Sequence, residues 1–298
     1  MRGEIARIMP FLFSAMISYP SRAQTRPLPD LINPLDAPAQ ILDLSRLGLP
    51  SADSRDTPVA PDDAAGSSQP EDRRLVRWGV KRTVQDQKEL YLAPFQHSNL
   101  KWDVLLLAGT GALIATDRRI EGHLPGGNLN IYSNASNIAL GGTAGTLALM
   151  WTYGLKTHNE HLKEMGSLEI ETLVNTFLVY TPMQFIAGRQ RPGEGNGHGD
   201  FWRHHMINTS FPAGHAMFTM AIATVVTHEY PKPWVKVLAY GATAAVIAGR
   251  FLAHDHWASD LLVGPALGYF IGSHIFHSHC NPQFNEGCHR STQDVDHP

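Results

Sequence analysis

The sequence predicts an all-α fold, a bundle of six helices, and three observations point there. Six apolar segments of helical length follow one another: Val104–Thr116, Ile138–Leu155, Leu168–Gly188, Ala213–Glu229, Val235–Leu252 and Leu261–Phe276. Polar, Gly-rich loops separate them, and none shows the strict alternation that marks a half-buried strand. The charged fraction is only 17%, against about 25% in an average soluble protein, so much surface is left to bury or to lie against a membrane. No internal repeat and no dinucleotide-binding fingerprint interrupts the series.

Taken in order, residues 1–23 read as a signal peptide. Arg2 and Arg7 precede an apolar run, and Ser21 and Ala23 form a small-x-small cleavage site before Gln24. Residues 24–96 are a tether rich in Pro, Asp, Ala and Ser, a composition that buries little. Within it an amphipathic helix is expected near 73–92, with Leu75, Trp78, Val84 and Leu90 as its apolar contacts. Residues 97–278 form the helical domain, and 279–298 a tail containing Cys280 and Cys288. In an exported chain these two are expected to pair, closing a short loop. The alternative, a metal site using His279 and His289, lacks the ligand spacing of a zinc finger. No metal or other cofactor is expected.

The net charge of −3 offers no basic field for nucleic acid. A membrane span needs about 20 mostly apolar residues, and all six segments are marginal. The third contains Glu169, Glu171, Asn175 and Gln184, and the fifth contains Lys236 and Arg250. Export followed by three true spans would also leave the ends of segments three and four in the cytoplasm. The expectation is an exported bundle, periplasmic or in the cell envelope, mostly soluble or lying on a membrane, with a membrane-embedded bundle as the alternative.

Three clusters hold polar residues that a core does not need. In QFIAGRQRP, Gln184, Gly188 and Arg191 recur at i, i+4 and i+7 on one helix face, and Pro192 ends the helix. FPAGH places Ala213, Gly214 and His215 at a helix start, where free N–H groups favour an anion. GRFLAHDHWASD carries Arg250, His256 and, one turn later, Asp260. Singly, each has an ordinary structural explanation. Together they supply the parts of phosphoryl transfer. Arginine forks match phosphate oxygens, one histidine can act as nucleophile, a second can act as acid and base, and a carboxylate can orient an imidazole.

At these residues the sequence resembles the type 2 phosphatidic acid phosphatase and vanadium haloperoxidase superfamily, whose motifs are Lys-x6-Arg-Pro, Pro-Ser-Gly-His and Ser-Arg-x5-His-x3-Asp. Arg191-Pro192 matches the end of the first. Pro212, Gly214 and His215 match the second, and Arg250, His256 and Asp260 the third. The resemblance covers about His97 to His277 and implies the bundle of that superfamily, on its phosphatase branch. It implies His256 as nucleophile, Asp260 as its orienter, and His215 as general acid and then base. It also implies that Arg191 and Arg250 bind the phosphate of a phosphomonoester, lipid or soluble.

Three positions depart from the motifs: Gln184 replaces Lys, and Ala213 and Gly249 each replace Ser. On this reading Gln184, Ala213 and Gly214 form the substrate cradle with one charge and two hydroxyls fewer, and a lysine at 184 is expected to raise the rate about tenfold. The alternatives are a catalytically degenerate phosphate-binding or scaffold protein and a vanadate-dependent haloperoxidase. His198, His204 and His205 fall in a loop expected to cover the site entrance. His158, His161, His274, His277 and His279 are expected at surfaces or interfaces.

Overall fold

The computed structural model describes residues 70–126, 129–285 and 288, with side chains from 77 onward. The expected signal segment, the expected tether before residue 70 and the tail from 289 lie outside the described residues. Those described form helices and loops, with no strand among them. The helices are α1 (Pro70–Leu92), α2 (Leu100–Glu121), α3 (Leu129–Thr157), α4 (Glu160–Ala187), α5 (Gly214–Glu229), α6 (Pro233–Leu252) and α7 (Ala258–His279), and a 3-10 turn over Ala93–Phe95 follows α1. Among the described residues there are thus seven helices: six from Leu100 onward, and α1, which lies where the amphipathic helix near 73–92 is expected.

Several helices extend past the apolar runs that announce them. In α2 the added turns carry Asp117, Arg118 and Arg119, and in α4 they carry Glu160 and Glu164. A run of hydrophobic residues cannot reveal such polar turns. Asn159 caps α4, its side chain accepting from Leu162 N at 3.2 Å, as an N-cap residue should.

The seventh helix, α1, is joined to the bundle by polar contacts more than by grease. Leu90 packs against the core, but Trp78 and Val84, two of its expected apolar contacts, remain exposed. Asp86 is the buried anchor, only 2% exposed. Arg82 Nε donates to His279 Nδ1 at 2.8 Å, which leaves His279 Nε2–H to donate to Asp86 at 2.7 Å. His274 stands 3.6 Å from the same carboxylate. Burial alone would raise the Asp86 pKa, but the hydrogen bonds and charges of His274 and His279 outweigh it and bring it to about 2.

The centre of the bundle is α5, with twelve of its sixteen residues buried. It lies almost backbone to backbone with α7. Gly264, Gly268 and Gly272 recur every fourth residue on α7 and meet Ala213, Met217 and Ala221, which recur every fourth residue along α5. A Cβ at these glycines would come within 2.6, 2.2 and 2.4 Å of the facing carbonyl oxygens. Only residues without side chains allow this approach. The consequence is that the start of α5 lies directly beside the start of α7.

Cys280 and Cys288 are bonded, with their Cα atoms 5.8 Å apart. Their loop folds over the other end of the bundle: Phe284 stacks on His161 at 5.1 Å, and Asn281 N donates to Glu164. Among the described residues, α6 alone is long and apolar enough to cross a membrane, by length and composition, and 28% of its most apolar stretch is buried.

Candidate active site

The end of α4, the ends of α5 and α7 that begin them, and the last turn of α6 meet at one end of the bundle. The chain leaves α4 at Gly188, which adopts φ 51°, and a Cβ there would strike the His204 carbonyl at 2.1 Å. This left-handed turn sends residues 189–213 across the bundle end, with Ser210 N donating to the Arg189 carbonyl at 2.9 Å.

His256 lies just before α7 and is 2% exposed. Its Nδ1 is 2.7 Å from the Ser210 carbonyl oxygen. A carbonyl only accepts, so the proton resides on Nδ1 and Nε2 carries the lone pair. Burial holds the His256 pKa below its usual value, aided by the positive charge of Arg191 and opposed by Asp260 and Asp255. His215 opens α5. Burial pushes its pKa well below the usual value, and Arg250, His256 and Arg191 push it the same way. Two neutral imidazoles and two guanidiniums therefore share one electrostatic neighbourhood.

Asp255 connects the two arginines. Its carboxylate accepts from Arg250 Nη1 at 2.8 Å and from Ser133 Oγ at 3.1 Å, while its backbone carbonyl accepts from Arg191 Nη1 at 3.2 Å. Arg191 Nη2 also donates to Asn208 at 2.8 Å, and Arg250 Nη2 to Asn137. Arg250 Nε is buried and has no partner among the described residues.

The other expected residues are positioned differently from expectation. Asp260 Oδ2 is 3.8 Å from His256 Nδ1, too far for a hydrogen bond. Asp260 is fully buried and accepts from Ser210 Oγ at 2.5 Å, Trp257 N at 3.0 Å and Arg189 Nη1 at 2.5 Å. It thus grips Ser210, whose carbonyl grips His256. Gln184 is also fully buried, and its amide is occupied. Nε2 donates to the Pro212 carbonyl at 2.8 Å, and Oε1 accepts from Thr209 N at 2.5 Å and Thr209 Oγ1 at 2.8 Å. It staples the loop leading into α5. Ala213 has no exposed surface and its N–H donates to the Asp260 carbonyl at 3.3 Å. A Cβ on Gly214 would lie 2.7 Å from the Tyr180 ring. Gly249 meets α3 so closely that a Cβ would come within 2.8 Å of Ser136 Cβ and the Tyr132 carbonyl. A serine there does not fit this interface.

Sequence reasoning missed Arg189. Only 1% exposed, it bridges Asp117 at 2.7 Å and Asp260 at 2.5 Å. It also donates to Ser259 Oγ at 2.6 Å and the Gly199 carbonyl at 3.2 Å, with Phe201 and Trp257 against its guanidinium. Asp117 in turn accepts from Ser259 N at 3.1 Å. The one signal in the sequence was a second arginine in GRQRP, with nothing to say which of the two faces inward.

With this geometry in view, comparison with known proteins finds two partial likenesses. Residues 169–283 match the model of the PAP2 superfamily, and that stretch holds Arg191, His215, Arg250, His256 and Asp260. Over residues 169–283 the chain is thus similar to the PAP2 superfamily. A 65-residue stretch is 37% identical to a lipid A 1-phosphatase of Porphyromonas gingivalis, covering 21% of this chain and 15% of that protein. No solved structure matches.

Proposed function

We propose that the chain is a phosphatase that hydrolyses phosphomonoesters through a phosphohistidine at His256. The observation that carries this reading is the 2.7 Å contact between His256 Nδ1 and the Ser210 carbonyl, which leaves an unprotonated Nε2 in the field of Arg191. Nε2 attacks phosphorus, a P–N bond forms, and the ester P–O bond breaks. His215 gives its proton to the departing alkoxide oxygen. Water then attacks phosphorus and yields its proton to His215. The P–N bond breaks, releasing inorganic phosphate and restoring His256.

His215 is held neutral in the resting site by burial and by Arg250, His256 and Arg191. An incoming phosphate dianion opposes the cationic influence of Arg250 and Arg191, so binding itself supplies the proton affinity that the acid needs. Arg191 and Arg250 hold the transferred group, exchanging protein acceptors for phosphate oxygens. Asp260 acts on His256 at one remove, through Ser210. Gln184, Ala213 and Gly214 shape the loop and helix start that carry His215.

The name of the matched relative supports a lipid phosphate as substrate, and exposed apolar side chains such as Trp102, Leu105 and Leu107 on α2 support membrane association. A second reading, phosphate binding without turnover, has its own observation: Asp255, Asn137 and Asn208 already occupy arginine donors. Single-turnover hydrolysis with an aryl phosphate decides between the two. The phosphatase shows a burst and an acid-labile phosphoenzyme, both absent in His256→Ala. Undiminished turnover in His256→Ala overturns the phosphohistidine, and no burst with tight phosphate binding favours the second reading.

A further inference from the structure

At the far end of α5 a second cavity, about 350 Å³, opens between α5, α6, α7 and the disulfide-closed loop. His228 stands thirteen residues after His215, so the cavity lies about 20 Å from the candidate active site at 1.5 Å per helical residue. Its walls include His228, His277, Lys236, Tyr240 and Phe276. No carboxylate is among its described lining residues. Glu229, next in sequence, turns away to His161 at 3.0 Å.

The two imidazoles are set in the same way. His228 Nδ1 is 2.7 Å from the Thr224 carbonyl and His277 Nδ1 is 2.7 Å from the Ser273 carbonyl. Each Nδ1 must therefore donate, and each Nε2 is left as the ring atom that a ligand can engage. The rings meet edge to face at 5.3 Å. Burial disfavours the charged form of His228, as do His277 and Lys236, against the hydrogen bond to the Thr224 carbonyl, which favours it. Three groups able to carry positive charge thus converge from three helices, with no carboxylate among the described lining residues. Tyr240 adds a hydroxyl, itself 3.0 Å from Thr227 Oγ1, and Phe276, its ring tilted against His228 at 5.0 Å, adds an apolar wall. An anion supplies what this arrangement lacks, and the apolar wall fits a body attached to it.

We infer that this cavity is a second binding site for a phosphate group, separate from the candidate active site and held by His228, His277 and Lys236. One phosphate chemistry has two sources, the free ion and the headgroup of a lipid phosphate. The test uses full-length His256→Ala, so that the catalytic site cannot turn over. Inorganic phosphate and a short-chain phosphatidic acid below its micellar concentration are titrated separately, while long-range proton–nitrogen NMR spectra follow the histidine rings. Saturable shifts of His228 and His277 are expected, tightening at least tenfold as pH falls from 8 to 6. Shifts with inorganic phosphate identify the free ion, and shifts only with the lipid identify a headgroup. Lys236→Ala and His277→Gln alter exposed residues and should each weaken binding at least fivefold. Absence of shifts with both ligands, or undiminished binding in both variants, overturns the inference. Because the readout does not involve turnover, its failure leaves the phosphatase reading standing, and the reverse also holds.

Discussion

Replacing Gln184 by lysine restores the residue of the family motif, and the structure says that it will harm the protein. The side chain has no exposed surface, and its amide serves three partners: the Pro212 carbonyl, Thr209 N and Thr209 Oγ1. A lysine donates but cannot accept, so Thr209 N loses its partner, while Thr209 Oγ1 keeps only the backbone carbonyl of residue 184 at 3.1 Å. A buried donor left unsatisfied costs about 1–3 kcal/mol, and a buried ammonium without a carboxylate costs several more. Relaxation will recover part of this, which leaves a net loss of about 3–5 kcal/mol. At about 2–4 °C per kcal/mol for a domain of this size, the melting temperature should fall by roughly 6–20 °C. The same loop carries Ser210, which sets His256, so kcat/KM should fall about tenfold or more. Thermal unfolding and steady-state kinetics on one soluble phosphomonoester measure both. Gln184→Met separates shape from hydrogen bonding, because it keeps most of the volume. A Gln184→Lys protein that melts like wild type and turns over faster would refute the reasoning, since lysine would then be reaching the phosphate.

Other substitutions test other parts of the structure. Arg189→Ala leaves Asp117 and Asp260 buried and unpaired, and should cost about 3–5 kcal/mol, read by denaturant unfolding. Gly249→Ser, a second return to the family motif, should cost about 1–3 kcal/mol by overpacking against α3 with no gain in kcat. Glu169 is fully buried with neither carboxyl oxygen paired among the described residues, and burial and Glu229 raise its pKa well above the usual value. Its folded pKa exceeds its unfolded one, so stability is greatest below the unfolded pKa and is lost as pH rises from about 4.5 toward the folded value. Glu169→Gln should flatten that alkaline decline in a melting-temperature series. For catalysis, the acid limb of kcat/KM should lie below the usual histidine value, because His256 must be neutral to attack and its pKa is lowered.

The helices were legible because each has an apolar core run, and the candidate site because its arginines and histidines fall at the ends of those runs. What the sequence could not show is which partner each polar group finds. Asp117 and Arg189 are 72 residues apart, and nothing local links them. The carbonyl that orients His256 belongs to Ser210, and a backbone atom leaves no mark in a motif. Gln184 reads as a degraded lysine until its amide is seen closing on Thr209 and Pro212. Gly249 reads as a lost hydroxyl until α3 is seen against it. Trp78 and Val84 suggested an apolar face on α1, yet the helix is anchored through Asp86, one polar residue whose two histidine partners lie near the far end of the chain.

The glycines of α7 have a consequence for how the two central helices find their phase. Gly264, Gly268 and Gly272 are equal rungs meeting equal rungs at Ala213, Met217 and Ala221. A ladder of identical rungs fixes the angle between its rails but not which rung faces which. Sliding α5 by one rung, four residues or about 6 Å, would bring small surface against small surface again while carrying His215 a full turn away from His256. What distinguishes the working phase is the pair of contacts at the ladder's top, Ala213 N to the Asp260 carbonyl and Ser210 Oγ to the Asp260 carboxylate. Asp260 therefore acts as the index mark of the assembly, and a protein lacking it can pack well and still be one notch out of alignment.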